Sequence, residues 1–181
     1  CVAGVQFDQS RYTSSEPYTY YELLATTDFM KFDAARQVET YGRKVSKNTL
    51  DWWREKPKWV QERLIEPSSD DRPIEDVVTF MEDLIGTPER LSNVFTRGNT
   101  FDPIIFDGLL DQFGKSSVYP FWVVRDTRSF IEGLAFGSGI KNSFIPPGLE
   151  DKFIPHDPCH DITMDIMRMQ YIVRVLNDLE E

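Results

Sequence analysis

Apolar residues recur at helical spacing in some stretches of the chain and in short runs in others, which predicts a mixture of helices and strands. The clearest helical stretch lies between Asp71 and Gly86, where one apolar stripe consists of Ile74, Val77, Val78, Met81, Leu84 and Ile85. We expect Asp71 to cap this helix, Pro73 to stand early in it and Gly86 to end it.

Weaker patterns predict further helices on both sides of this one. "SKNTLDWWREKP" has Leu50 and Trp53 at helical spacing until Pro57 breaks it. A second short piece then carries Trp59, Val60 and Leu64. A later stripe, closed by Gly114, consists of Ile105, Leu109, Leu110 and Phe113.

The C-terminal third is expected to contain two helices joined by a loop. "RDTRSFIEGLA" is predicted to be helical, and "SGIKNSFIPPGLEDKFIP" is predicted to be a loop. The last helix is expected to start at Asp157 and Pro158. Its apolar stripe consists of Ile162, Ile166, Met169, Val173 and Leu176.

Short runs of apolar and β-branched residues predict the strands. These are Val2–Phe7, Tyr20–Thr26 and Asn93–Arg97, together with a buried strand at Phe121–Val124. The order of elements predicts an α/β fold, with residues 1–181 forming a single domain.

Composition narrows the class of protein. With 181 residues, 40% of them hydrophobic and 28% charged, the chain can bury the core of one domain. No apolar run approaches the roughly 18 residues of a membrane span. Two cysteines are too few for a disulfide framework, which favours a reducing cytosol. The net charge of −10 argues against broad adhesion to nucleic acid.

One segment departs from this acidic average. Between Lys31 and Arg63 nine basic residues face five acidic ones. We call these nine the basic segment: Lys31, Arg36, Arg43, Lys44, Lys47, Arg54, Lys56, Lys58 and Arg63. The segment suits a site that grips one end of a nucleic-acid strand, or it is simply a differently solvated surface. Trp52, Trp53 and Trp59 within it could stack bases, although tryptophans of this kind more often belong to a core.

Two Asp-Pro pairs stand at the starts of predicted helices. Asp before Pro is a favoured arrangement for a helix cap, and this is the simpler interpretation of both Asp102 and Asp157. Asp102 also follows a predicted strand. Ligands of α/β folds bind at the carboxyl ends of strands, so for Asp102 the capping and ligand interpretations both stay open.

The stretch "HDPCHDITMD" holds both histidines of the chain. Asp161 and Asp165 lie one helical turn apart, on a face that is offset from the apolar stripe and is therefore expected to be a solvated edge. His156 is close enough to share a site with Asp161 and can act as a general base. Zinc ligation by His156, Cys159 and His160 is a weaker alternative, because structural zinc sites take four ligands.

Several stretches together resemble a known family. "GNTFDPIIFDGLL", "VVRDTRSFIEGL", "HDPCHDITMDIMRMQYIV" and "SKNTLDWWREKP" are similar, in order, to the exonuclease A (DexA) type of 3′–5′ exonuclease of large tailed bacteriophages. That type belongs to the DEDDh superfamily. The resemblance implies an RNase H-like mixed sheet flanked by helices.

The resemblance also implies roles for individual residues. The second family motif falls on "NTFD", which makes Asp102 a metal ligand and places Asn99, Thr100 and Phe101 near the substrate. The third motif, His-x-x-x-x-Asp, falls on His156 and Asp161. Asp161 would then bind metal while His156 deprotonates the attacking water, with His160 as the runner-up base. The cofactors implied are two Mg²⁺ or Mn²⁺ ions.

The first family motif, an Asp-x-Glu on the opening strand, has no counterpart after Cys1. We expect that motif and its strand to precede Cys1, outside this sequence, so that the domain is N-terminally incomplete here. Without the motif, the metal site would lack half of its carboxylates.

The expected function is metal-dependent 3′–5′ exonucleolytic release of nucleoside 5′-monophosphates from a single-stranded DNA or RNA 3′ end. The alternative is a catalytically inactive RNase H-like module that binds nucleic acid or protein. The expected location is the cytoplasm, that of the host if a phage encodes the chain. Many relatives in the superfamily are dimers, so a homodimer is one assembly that the resemblance allows.

Overall fold

A computed structural model of the chain describes residues 1–87 and 91–179. The described helices are α1 (Tyr20–Ala25), α2 (Ala34–Tyr41), α3 (Lys47–Arg54), α4 (Lys58–Leu64), α5 (Asp76–Ile85), α6 (Asp102–Gln112), α7 (Thr127–Leu134) and α8 (Pro158–Leu176). The described strands are β1 (Val2–Gly4), β2 (Asp28–Met30), β3 (Val94–Thr96) and β4 (Val124–Asp126). Short 3₁₀ turns cover Gln9–Thr13 and Phe121–Val123. The predicted α/β class is confirmed.

The described strands form two separate pairs. β1 runs antiparallel to β2, with Val2 opposite Met30. β3 runs parallel to β4, with Val94 opposite Val124. Within the described residues these pairs do not join into one mixed sheet. The RNase H-like arrangement therefore stays a prediction, as does the single domain over 1–181.

α8 forms the centre of the larger core. Its buried residues Ile166, Met169 and Ile172 pack with residues of the first 3₁₀ turn, α1 and α7. A second core lies between α5 and α6, where Val77 and Val78 pack with Leu109 and Leu110. α8 is thus fixed along its length, which holds its N-terminus in a defined place.

Most of the predicted helices are confirmed, including both sides of Pro57 and the start of α8. The expected cap of α5 is wrong. The helix begins at Asp76, so Pro73 precedes it instead of standing in its first turn, and the residue before the helix is Glu75, which makes no capping hydrogen bond with its side chain. Asp71 instead forms an ion pair with Lys31 at 3.2 Å and accepts the Ser68 N–H. The predicted end at Gly86 is confirmed, with φ of 64°.

The predicted strand at Tyr20–Thr26 is wrong, because this segment is the helix α1. Thr19 and Glu22 form a capping box: the Thr19 hydroxyl accepts the Glu22 N–H, and the Glu22 carboxylate accepts the Thr19 N–H. That pair satisfies backbone donors that a helix start leaves without partners. The predicted strand at Val2–Phe7 is confirmed only as far as Gly4.

The predicted buried strand at Phe121–Val124 is also wrong for most of its length. Phe121 and Trp122 lie in a 3₁₀ turn and are 83% and 65% exposed, and the strand begins only at Val124. Likewise, the core interpretation fails for Trp52 and Trp59, which are both exposed on helices. Within the described residues, no helix is long and apolar enough to cross a membrane.

Candidate active site

The start of α8 is fixed by a buried cap. Asp157 is 1% exposed, and its carboxylate accepts the N–H groups of Cys159 and His160 at 2.9 and 3.4 Å. Arg63 of α4 forms an ion pair with the same carboxylate at 2.8 Å. The capping prediction for Asp157 is therefore confirmed, and the cap ties α4 to α8.

His156 and Asp161 lie side by side at this helix start. The His156 backbone N–H donates to Oδ1 of Asp161 at 3.3 Å. His156 has φ of 69°, in the left-handed region that non-glycine residues seldom adopt. Its imidazole lies 4.9 Å from the Trp52 ring, centroid to centroid. The structure thus brings together the two residues of the expected His-x-x-x-x-Asp motif.

The Asp161 carboxyl has a pKa above its ordinary value. Burial is the main cause, and the Asp165 carboxylate one turn away adds to it. The His156 N–H and the Arg97 guanidinium act in the opposite direction without cancelling the rise. Asp161 therefore carries negative charge that the surrounding protein compensates only in part.

Asp165 does not lie on the expected solvated edge. It is buried, and its carboxylate accepts hydrogen bonds from Arg97 at 2.5 Å, Arg168 at 2.8 Å and the Thr127 hydroxyl at 2.7 Å. Arg97 directly follows β3, Arg168 belongs to α8 and Thr127 is the first residue of α7. Two arginines within hydrogen-bonding distance keep this buried carboxylate paired.

Asp102 lies in the first turn of α6, just after the segment that follows β3. The capping expectation for it is wrong, because Phe101 occupies the cap position and the helix start has no side-chain cap. The residue Asp102 is exposed. Partial desolvation of its carboxyl by neighbouring protein atoms nevertheless raises the pKa of this group, and the Arg128 guanidinium acts in the opposite direction. No hydrogen bond joins Asp102 to Asp161. The segment 97–101 connects Asp102 to Arg97, which binds Asp165 and lowers the pKa of Asp161.

The three residues expected near a substrate lie on that segment. Asn99 accepts a hydrogen bond from the Thr96 hydroxyl at 3.0 Å, and the Phe101 N–H donates to the Gly98 carbonyl at 3.0 Å. The side chains of Asn99, Thr100 and Phe101 are all exposed. The segment is therefore turned towards solvent at the carboxyl end of a strand, where α/β folds bind ligands.

His160, the runner-up base, is held by another partner. Its Nδ1 lies 2.7 Å from the Tyr20 hydroxyl, and burial lowers the pKa of its imidazole. The Tyr20 hydroxyl is itself partly buried, which raises its pKa to about 12. This pair links α1 to α8 and leaves His156 as the more exposed of the two histidines.

The proposed zinc ligands do not form a site. Cys159 is buried with its Sγ 3.3 Å from Arg63, and His156 and His160 contact Trp52 and Tyr20 respectively. Over residues 1–87 and 91–179, no three His, Cys, Asp or Glu side chains form a metal-binding cluster. The described residues therefore hold no structural zinc centre of the kind considered above.

For Mg²⁺ or Mn²⁺ the chemistry of the donors fits, although the described residues form no complete ligand set. Asp102 and Asp161 are carboxylates, the ligands that these ions prefer. The pKa of each carboxyl is raised, so a nearby cation would offset negative charge that the protein compensates only in part. These two side chains can supply part of a divalent-ion site.

Two contributors to this region were not predicted from the sequence. Arg97 stands at the end of a predicted strand, directly before the "GNTFD" stretch, and that position is a signal that could have been used. The contact between Trp52 and His156 joins residues more than 100 positions apart. Neither residue spacing nor residue type indicates such a contact.

Comparison with known proteins gives two matches. Residues 2–164 match the model of the 3′-5′ exoribonuclease Rv2179c-like domain. The chain is 30% identical to a protein of Enterobacteria phage T4 named exodeoxyribonuclease, in an alignment that covers 90% of this chain and 78% of that protein. No solved structure gives a significant match.

Proposed function

The chain belongs to the 3′-5′ exoribonuclease Rv2179c-like domain family, and from this premise we propose that it hydrolyses phosphodiester bonds from the 3′ end of single-stranded nucleic acid. The products are nucleoside 5′-monophosphates. The observation that carries the proposal is the pairing of His156 with Asp161 at the start of α8, where the backbone N–H of one donates to the carboxylate of the other.

Asp102 and Asp161 are the proposed metal ligands. Divalent ions held there would offset the negative charge of the phosphate and help to activate the attacking water. The partly uncompensated charge of both carboxylates supports this role. In an acidic chain, bound cations would also reduce the repulsion of a polyanionic substrate.

His156 is the proposed general base. Its side chain is exposed and its backbone N–H is hydrogen-bonded to Asp161, which supports a role for the imidazole at the edge of the site. Imidazole is the side chain that most often acts as a general acid or base. His160 is the less suitable base, because its Nδ1 is hydrogen-bonded to Tyr20.

Asn99, Thr100 and Phe101 are the proposed contacts to the 3′-terminal nucleotide. Their exposed side chains precede Asp102, and an aromatic ring is a sequence-tolerant surface for a base. The family description names ribonucleic acid and the phage relative is named for deoxyribonucleic acid, so either polymer is a candidate substrate. The cytoplasmic location and the homodimer stay predictions.

The decisive experiment is degradation of matched single-stranded DNA and RNA oligonucleotides, labelled at the 3′ or the 5′ end, by the full-length protein. Mg²⁺, Mn²⁺ and a chelator are compared. We expect metal-dependent loss of the 3′ label as mononucleotide and a shortening ladder from the 5′ label. Asp102→Ala and Asp161→Ala should remove this activity in folded protein. Turnover that persists in Asp102→Ala would contradict the proposal. Binding without cleavage would favour the inactive module.

A further inference from the structure

We propose that Trp52 is a positioning residue that holds the imidazole of His156 in place for its work at the site. This inference rests on the proposed function for its catalytic meaning, while the contact itself can be tested separately. Trp52 lies on α3 and is 37% exposed. Its ring meets that of His156 at an interplanar angle of 82°, an edge-to-face arrangement favoured by aromatic pairs.

His156 needs such a contact. It is exposed, it precedes the cap of α8, and its backbone has φ of 69°. A non-glycine residue in that region persists only where its surroundings hold it. The hydrogen bond from its N–H to Asp161 fixes the backbone. Among the described residues, the aromatic contact of the imidazole is with Trp52.

The helix that carries Trp52 is anchored to the same part of α8. Val60 and Leu64 of α4 are buried, and Gln61 donates hydrogen bonds to the carbonyls of Arg54 and Lys56 at the end of α3. Arg63 then joins α4 to Asp157. Helices α3 and α4 therefore contact two adjacent residues at the start of α8: Arg63 binds Asp157, and Trp52 contacts His156.

Trp52 contributes little to the core. α3 has no fully buried residue, and the Trp52 ring also contacts the Trp53 ring at 4.9 Å, centroid to centroid, and the Lys56 ammonium at 3.8 Å from its centroid. Trp52 is partly exposed and contacts the proposed base. We therefore attribute the role of this aromatic side chain to that contact and not to packing in a core. Because a small misplacement of a catalytic group lowers the rate strongly, a residue that orients His156 affects turnover.

The test combines NMR with steady-state kinetics on the full-length chain. The sequence has two histidines, His156 and His160, so each imidazole signal is assigned by substitution of one of them. In Trp52→Leu we expect the His156 ring signals to shift and those of His160 to stay. We also expect kcat to fall by about 10-fold or more with KM within about twofold. Trp52→Phe should recover much of the kcat.

Trp122→Leu is the matched control. Trp122 is another exposed tryptophan in edge-to-face contact with an aromatic neighbour, Phe121, at 5.2 Å. It should change neither histidine signal nor kcat. Unchanged His156 signals in Trp52→Leu would overturn the inference, and so would a rise in KM alone, which would mark Trp52 as a stacking surface for substrate.

The two hypotheses fail separately. A wild-type protein that cleaves no oligonucleotide refutes the proposed function, and the NMR comparison still decides whether the Trp52 ring contacts His156. Normal cleavage by wild type and by Trp52→Leu, with loss of activity in His156→Gln, retains the function and refutes the inference. If Trp52→Leu does not fold, Trp52→Met also removes the aromatic ring, with a smaller change in volume, and takes its place.

Discussion

The two histidines at the start of α8 differ in what holds their rings, and this difference predicts different effects of substitution. His156→Gln should lower kcat by about 100-fold or more, the usual contribution of a general base, and should leave stability nearly unchanged because the side chain is exposed. His160→Gln should keep most of the activity and lose about 1 kcal/mol of stability through the weakened bond to Tyr20. Single-turnover rates and urea unfolding measure both effects. The reverse pattern would make His160 the base.

The raised pKa values of Asp102 and Asp161 predict that the ionised carboxylates, which metal binding requires, lower the stability of the folded protein. A folded-state pKa above the unfolded value confers stability at low pH that is lost as pH rises through the raised pKa. In chelator-treated protein at neutral pH, Asp161→Asn should therefore increase the free energy of unfolding. This gain should vanish below the ordinary pKa of 3.8, where the aspartate is protonated in both states. Urea unfolding at several pH values checks this.

The same substitution should abolish cleavage. If Asp161→Asn is less stable than wild type at neutral pH without metal, burial does not oppose the charge of Asp161 as described. Added Mg²⁺ supplies the control, because it should stabilise wild type and have little effect on Asp161→Asn.

Individual residues were predictable where the signal is local. The Asp157 cap follows from Asp before Pro at the start of an apolar stripe, and the structure confirms it. The burial of Asp165 does not follow from its neighbours in sequence. Its partner Arg97 lies 68 positions away and Thr127 lies 38 away, and a helical face with two carboxylates resembles a solvated edge until those partners are known.

At the scale of elements, the carboxylate of Asp165 joins β3, α7 and α8 through Arg97, Thr127 and Arg168. Asp165→Ala leaves the buried Arg168 guanidinium without this partner and should cost about 3–5 kcal/mol. The carbonyls of Phe144 and Ser143, which Arg168 also contacts, keep part of its hydrogen bonding. Urea unfolding provides the measurement.

Asp165→Asn is the matched variant for this network, because it keeps the shape and some hydrogen bonds while removing the charge. It should cost less than the alanine variant. Equal stability of Asp165→Ala and wild type would show that the two arginines are satisfied without Asp165.

Helices were predicted correctly where the stripe of apolar residues is long enough to be unambiguous. α5, α6 and α8 carry apolar stripes over two turns or more. The six residues of α1 show no such stripe, and their aromatic and aliphatic composition also suits a strand. The capping box of Thr19 and Glu22 was the available signal for a helix. At Phe121–Val124 an apolar run indicated burial, although apolar residues are also common on surfaces.

For the whole molecule, the class follows from the order of elements, while the pairing of strands does not. Each described strand is three residues long, too short for its sequence to specify a partner or a register. The position of the candidate site depends on that pairing, because β3 beside β4 brings Arg97 close to α8. The local motifs were therefore predictable, and their mutual geometry was not.

The basic segment is less positive in the structure than its composition suggests. Five of its members form ion pairs with acidic residues: Lys31, Arg36, Arg54, Lys58 and Arg63. The other members, Arg43, Lys44, Lys47 and Lys56, form no ion pair with a described acid. Lys44 and Lys47 are exposed near the start of α3. These four residues are therefore the ones in the segment whose charge is most available to a phosphate backbone.

Substitution of Arg43, Lys44 and Lys47 by Glu, which reverses their charge, should accordingly weaken the binding of long single-stranded substrates. In a chain of net charge −10, local cations provide the attraction, so KM for a long single strand should rise by about 10-fold at low salt. If all three contact phosphates, the slope of log KM against log salt should fall by about 2. Reversal of Lys115, Lys141 and Lys152 makes the same change in net charge outside the segment and controls for it. Equal effects of the two triple variants would show that only the net charge of the protein matters. An unchanged KM after reversal of Arg43, Lys44 and Lys47 would exclude the basic segment from substrate binding.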